Sequence, residues 1–281
     1  MTVQEAYKQL QAQLCALYDD REAANIADLV IEHITGQRRI DRIMNKQAPV
    51  TAEQQATIQQ YAKQLLQQTP IQYVLHEAWF AGMKLYVDEN VLIPRPETEE
   101  LVSWIADTRL PVTVLDIGTG SGCIPIALKK KMPGWNVHAV DISAGALEVA
   151  RRNDLEQNTD VTFHLLDILD EIAWQRLPMF DVIVSNPPYI RESEAASMHT
   201  NVLNFEPHTA LFVPDEDALL FYKKIADFAL THLRINGLLL FEINEALGKA
   251  VCDMLAGKGF SEIELRQDLQ GKDRMVRAVK K

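Results

Sequence analysis

After Val112 the chain repeats one pattern: a short apolar run, a turn, then a stretch with helical spacing. The runs are VTVLDIG, NVHAVDIS, VTFHLL, DVIVSN and GLLLFEI, followed by a closing pair near SEIELRQDL and RMVRAVK. Strands this apolar are buried on both faces, and a helix after each one returns the chain to begin the next in the same direction. The pattern predicts an α/β fold with a doubly wound, mostly parallel seven-stranded sheet. Because the last two runs are joined by a short connection, one edge strand is expected to run antiparallel.

The first 70 residues carry a different period. One helix is expected over Gln4 to Tyr18, a second opened by Asp19 or Asp20 and closed by Gly36, and a third from Thr51 to about Leu66, ahead of Pro70. Thr51 and Gln54 have capping-box spacing. Leu10, Leu14 and Leu17, then Ala27, Val30 and Ile34, give each of the first two helices one apolar stripe, which predicts a small helical bundle. Arg38, Arg39 and Arg42 form its local basic cluster, a candidate docking face. Residues 73 to 92 alternate and are rich in aromatic and β-branched types, with Ala81-Gly82 placed to turn, so a β-hairpin is expected to bridge the two parts. The expected division is 1–72, 73–95 and 96–281. In the IPRPETEELV segment, Pro94 and Pro96 hold the backbone extended around Arg95, and Glu97 or Thr98 can start a helix.

The first strand of the repeating region leads into Asp116 and then Gly118-Thr119-Gly120-Ser121-Gly122, with a helix from about Ile124. Such glycines let a backbone turn sharply and approach a ligand at the carboxyl end of a strand, where open α/β sheets bind ligands; they also serve as plain tight turns. A dinucleotide fingerprint needs another glycine at 123, where this chain has Cys123, so a cofactor without a pyrophosphate is favoured. Asp141 ends the second strand, about 20 residues after the loop, where a carboxylate can take both hydroxyls of a ribose or can cap the helix starting near Ser143. Asp167 is placed for an adenine edge with Ile168 on the ring, or is a solvated turn residue. Asp116 can meet a cationic end of the cofactor or anchor the loop backbone.

The fourth strand, DVIVSN, runs directly into Asn186-Pro187-Pro188-Tyr189. Two prolines force an extended exit and remove two N–H donors, so the segment presents carbonyls. An NH2 group conjugated to a carbonyl or aromatic ring is a poor nucleophile because its lone pair is delocalised. If the Asn186 side-chain oxygen and the Pro187 carbonyl accept its two hydrogens, the nitrogen is aimed and gains negative character. Tyr189 is placed to stack on the planar group. The structural alternative is a plain loop after a strand.

Charge and cysteine content narrow the partners. A formal charge of -11 argues against holding nucleic acid through its phosphates. Residues 1 to 80 hold 7 of the 28 Lys+Arg and 9 of the 39 Asp+Glu, leaving 21 against 30 beyond them, so most of the excess acid lies in the repeating region. Cys15, Cys123 and Cys252 are scattered with no CxxC pair and are expected to be small buried thiols, with no metal site. The seven histidines show no ligand or triad spacing. The start MTVQEAYKQL is polar and no run approaches a membrane span, so a cytoplasmic location without membrane contact is expected.

DxGTGSG followed by NPPY resembles the amino-group methyltransferases, a set spanning DNA adenine, RNA guanine and protein glutamine enzymes. With IPRPETEELV and the helical amino-terminal part, nearly all of the chain resembles the release factor glutamine methyltransferase family. The resemblance implies a class I methyltransferase, Rossmann-like fold, S-adenosylmethionine as cofactor, and class 1 peptide chain release factors as substrate, methylated on the side-chain amide of the glutamine in their Gly-Gly-Gln motif. Residues 1–72 are expected to recognise the substrate, and a monomer without direct contact to nucleic acid is expected. Carried over to this sequence, Gly118, Thr119, Gly120, Ser121, Gly122 and Asp141 match the family's cofactor loop and ribose acid, and Asp116, Asp167, Ile168 and Asn186 are expected at the cofactor beside them. Asn186, Pro187, Pro188 and Tyr189, with Arg95 and Glu97 to Glu99, are expected at the substrate. A sulfonium carries its own leaving group, so alignment for in-line attack supplies much of the catalysis and no dedicated base is needed. The VPDEDAL stretch after Glu206-Pro207 replaces a more glycine-rich version, which leaves the loop contacts to the substrate open. The rival readings are a nucleic-acid adenine or guanine methyltransferase and a cofactor-binding scaffold without turnover. The long segment from Ile190 to Pro214, without clear period, is expected to help form the substrate-facing wall.

Overall fold

The computed structural model describes residues 1–107, 112–198 and 200–281. Two compact units emerge: Met1–Glu77 together with the short helical segment Thr200–Phe205, and the remainder from Ala78 onward.

In the first unit, helix α1 (Val3–Leu14) opens on a reciprocal Thr2–Glu5 cap, and α2 (Asp20–Thr35) opens on Asp19 and stops at the left-handed Gly36. Next come α3 (Arg39–Met44), α4 (Ala52–Leu66), opened by the Thr51–Gln54 pair, and α5 (Ile71–Leu75). Leu10, Leu14, Ala27 and Val30 meet in one core, with Ile34 against its edge. Leu17 departs from its expected place: α1 ends before it, and its side chain is exposed. The basic face is also smaller than expected. Arg42 is buried, its guanidinium stacked on the Tyr7 ring at 4.3 Å and paired with Asp28, so Arg38 and Arg39 alone of the three face outward. Cys15 is exposed rather than buried, because it sits on the C-terminal cap of α1.

The second unit starts with a hairpin, β1 (Ala78–Phe80) and β2 (Met83–Leu85), turning through Ala81 and Gly82, both at positive φ. Two successive positive φ values match the right-handed twist of the flanking strands. The hairpin is shorter than the expected span over 73–92: residues 71–75 are helical, and Val74 and Leu75 pack in the bundle core. Phe80, Met83 and Leu85 belong to the core of the second unit, so the hairpin is one of its parts and not a separate bridge.

Helix α6 (Pro96–Ala106) follows, with Pro96 in its first turn, where a missing N–H costs nothing. The repeating region then gives β3 (Thr113–Ile117), α7 (Cys123–Lys131), β4 (Asn136–Asp141), α8 (Ala144–Gln157), β5 (Thr162–Leu165) and β6 (Phe180–Ser185). The 190–214 segment is not without structure. It contains β7 (Ile190–Arg191), the short 3-10 helix Glu192–Ser197, α9 (Thr200–Phe205), a single 3-10 turn at His208–Ala210, and β8 (Phe212–Val213), which pairs in parallel with β7. Elements this short give no readable period.

The chain closes with α10 (Leu220–His232), β9 (Leu233–Glu242), α11 (Gly248–Gly257), β10 (Ser261–Gln267) and β11 (Asp273–Val279). The seven-stranded sheet has the order β10-β11-β9-β6-β3-β4-β5. All pairs are parallel except those of β11, which is antiparallel to both β9 and β10. The reversed strand is therefore not at the edge. Helix α11 carries the chain past the open position to β10, and the tight turn at Gly271 returns β11 into the gap. Two apolar cores cover the sheet, one containing Phe180, Phe228 and Phe241, the other Leu101, Ile126 and Leu128.

Candidate active site

The turn after β3 is shaped by its glycines: Gly118, Gly120 and Gly122 all take positive φ. The amides of Gly118 and Thr119 donate to the Val140 carbonyl at 2.9 and 3.1 Å, tying the turn to the end of the neighbouring β4. Gly120 N donates to Asp141 Oδ2 at 2.8 Å, and Asp141 Oδ1 accepts from Ser143 N at 2.9 Å. The cap of α8 is made by the Ser143 hydroxyl, which accepts from Ala146 N at 3.1 Å. Asp141 is thus not needed as the cap, and it opens onto a cavity of about 300 Å³.

That cavity collects most of the residues expected at a cofactor. Gly118, Gly120, Asp141, Asp167 and Ile168 line one part, and Asn186, Pro187 and Pro188 line another. Asp167 Oδ1 accepts from Leu169 N at 2.8 Å, so it shapes its own turn while facing the cavity. Asp116, Thr119, Ser121 and Gly122 do not line the cavity; the first three are buried behind the turn. Neither carboxylate oxygen of Asp116 has a hydrogen-bond partner among the described residues. Burial first, and the nearby Asp141 carboxylate, push its pKa up to about 7, against a smaller pull downward from Thr119.

Asn186 stands where β6 ends. Ser185 Oγ donates to the Ile117 carbonyl at 2.6 Å, locking the end of β6 to the end of β3, so Asn186 and the glycine turn are held side by side. Tyr189 does not line the cavity. Its ring packs against the core, and burial, followed by the charge of Glu242, raises its phenol to about 12. Arg95 and Glu97 also act electrostatically on Tyr189, the first lowering and the second raising its pKa. Arg95 itself pairs with Glu206 at 2.6 Å, and the same carboxylate accepts from Ile93 N at 3.3 Å.

Sequence reasoning did not single out Asn90, Val91 and Leu92, or Phe221 and Ile225, which also line the cavity, nor the buried Glu206 and Glu242. Only Glu206 left a trace, as the start of the Glu206-Pro207 stretch. Pro207, Thr209 and Phe212 line the cavity, which accords with a wall formed by the 190–214 segment.

The chain resembles known proteins over its full length. A family model described as methyltransferase small domain matches residues 97–206, and one described as PrmC N-terminal domain matches residues 5–75. The release factor glutamine methyltransferase of Flavobacterium psychrophilum is 41% identical over 283 residues, covering 99% of each chain. The chain belongs to the release factor glutamine methyltransferase family. The Bacteroides thetaiotaomicron member is 40% identical over 93% of this chain and 94% of its own. Among solved structures, a methyltransferase from Pyrococcus furiosus shares the fold, with a TM-score of 0.53 and 19% identity over 82% of this chain and 99% of that one.

Membership makes this chain an S-adenosylmethionine-dependent methyltransferase, and the residues present suit that cofactor. The two orphaned oxygens of Asp116 lack the donor that a cationic amino group provides. Asp141 retains lone pairs for ribose hydroxyls, and Ile142, Ile168 and Leu169 offer apolar surface to an adenine ring. No helix among the described residues is long and apolar enough to cross a membrane.

Proposed function

We propose that this protein transfers a methyl group from S-adenosylmethionine to the side-chain amide nitrogen of the glutamine in the Gly-Gly-Gln motif of class 1 peptide chain release factors. One observation carries the reading at the level of chemistry: Asn186 and its two prolines open into the cavity that the glycine turn and Asp141 also line. The cofactor supplies an electrophilic methyl group on a sulfonium.

The chain's own residues do the rest. Asn186 Oδ1 and the Pro187 carbonyl accept the two amide hydrogens of the glutamine, which aims the nitrogen and raises its electron density. Pro188, with no N–H, leaves no competing donor beside them. Asp141 takes the ribose, Asp167 and Ile168 the adenine, and Asp116 the cationic amino end, with Thr119, Ser121 and Gly122 shaping the turn. Tyr189, whose ring packs against the core, backs the Asn186 turn, Arg95 and Glu97 act on it electrostatically, and the helical unit recognises the release factor. The step needs no dedicated base, because the methylated nitrogen is acidic enough to lose its proton to water.

An extruded nucleic-acid base presents a similar NH2 group, but the -11 charge offers no general attraction to phosphates. Incubation of the purified protein with methyl-labelled cofactor and a cell lysate, with and without nuclease, separates the two acceptors. Label is expected on a release-factor-sized protein, unchanged by nuclease and mapping by mass to a glutamine side chain. Nuclease-sensitive label would overturn the reading.

A further inference from the structure

A carboxamide such as that of Asn186 has two nearly isosteric ends, and only one of them suits the proposed chemistry. Its oxygen can accept from an incoming NH2 group; its own NH2 would meet that group donor to donor. Something must decide which end faces the acceptor.

The surroundings of Asn186 contain such a device. Asn186 Nδ2 lies 3.5 Å from Thr98 Oγ1, and Thr98 Oγ1 donates to Glu242 Oε2 at 2.6 Å. The three residues come from different elements: Thr98 from the first turns of α6, Glu242 from the last position of β9, and Asn186 from the residue after β6. Because Ser185 pairs with Phe241, the ends of β6 and β9 lie side by side, which puts Glu242 next to Asn186. Thr98 and Glu242 are each about 2% exposed, so water does not compete for these bonds.

The chain of bonds has a direction. Ionised, the Glu242 carboxylate can only accept, so Thr98 must donate to it; burial pushes its pKa up to about 7, so this direction is imposed above that pH. Having spent its one proton, the Thr98 hydroxyl can only accept from Asn186. Asn186 must then turn its NH2 toward Thr98, which leaves Oδ1 for the acceptor. The contact at 3.5 Å is at the long end for a hydrogen bond.

We infer that Glu242 and Thr98 are positioning residues that impose the orientation of the Asn186 carboxamide, through a one-way relay of hydrogen bonds from amide to hydroxyl to carboxylate. The inference rests on the function proposed above. It also explains an otherwise costly feature, a carboxylate buried at the end of a central strand, held by Thr98 and facing Arg274 on β11.

Three variants test it with purified release factor and S-adenosylmethionine. Glu242→Gln keeps the shape but can offer Thr98 either a donor or an acceptor, so the direction of the relay is no longer imposed, and Thr98→Val removes the hydroxyl at nearly constant volume. Both are expected to lower kcat by about a hundredfold, with KM and the affinity for cofactor little changed. Thr98→Ser keeps the hydroxyl and is expected to retain most of the turnover. In parallel, nitrogen-resolved NMR of the Asn186 side-chain NH2, assigned by its loss in Asn186→Ala, reads the relay without turnover. Its exchange with solvent is expected to be slow in the wild type and fast in Glu242→Gln. Wild-type turnover in both disabling variants, or NH2 exchange indifferent to Glu242, would overturn the inference. A protected Asn186 NH2 in a protein that methylates no release factor would keep the relay and reject the substrate reading instead.

Discussion

Asp116 and Arg95 show how a single residue's surroundings set its behaviour. Burial holds the Asp116 carboxyl near 7, above the ordinary 3.8, so the folded protein without cofactor keeps a proton there that the unfolded chain releases. Its contribution to stability is therefore fully present below about pH 3.8 and is lost as pH rises through about 7. A cationic amino group on Asp116 favours the carboxylate, so cofactor affinity is expected to rise with pH between about 6 and about 8, with proton release on binding. Calorimetric titrations in buffers of different ionisation enthalpy read this directly, and pH-independent affinity without proton release would place the cation elsewhere. Arg95 answers the buried Glu206. Arg95→Ala leaves that carboxylate without its partner and is expected to cost about 2 kcal/mol in denaturant unfolding; an unchanged midpoint would show that Glu206 finds another donor. Asp141 at the cavity was legible in the sequence because a strand end beside a glycine loop singles it out; Asp116, singled out the same way, lies buried behind the turn. Glu206 and Glu242 were not, and Thr98 only as part of the Glu97–Glu99 segment, since their specific partners lie more than 100 residues away, Ile93 and Arg95 for the first and each other for the last two.

At the level of elements, the alternation of apolar runs and helices announced the seven strands, and the capping signals at Thr51 and Asp19 announced the helices they open. What the pattern did not contain was the insertion of β11 between β9 and β10, because a short connection is equally consistent with a strand added outside its predecessor. The hairpin was read too long for a related reason: Val74 and Leu75 are apolar on account of the bundle core, and alternation alone does not reveal which core a residue serves. Gly122 links a turn to helix packing. It takes φ 79° as the N-terminal cap of α7, and a Cβ there would sit 3.0 Å from Ile126 Cδ1 and 3.2 Å from Ala150 Cβ on α8. Gly122→Ala combines left-handed strain with that crowding and is expected to cost about 1–3 kcal/mol and to weaken cofactor binding, as read by thermal melting and equilibrium titration. Melting and binding equal to the wild type would mean that the turn relaxes freely.

For the whole molecule, the design is a sheet whose carboxyl ends gather the glycine turn of β3, Asp141 of β4 and Asn186 after β6 around one cavity. The separate helical unit is compact in its own right and takes residues 200–205, from the segment between Asn186 and the cavity wall at Pro207, into its cluster. That sharing was not legible, since nothing in a six-residue helix states which body it joins. The central claim is that Asn186 holds the acceptor and not the cofactor, and it is tested by comparing Asn186→Ala with the wild type in two assays, cofactor affinity by equilibrium titration and methyl transfer to a purified release factor. Affinity within about twofold of wild type together with loss of transfer by at least about a hundredfold is the predicted result. Turnover in the variant equal to the wild type would contradict the account.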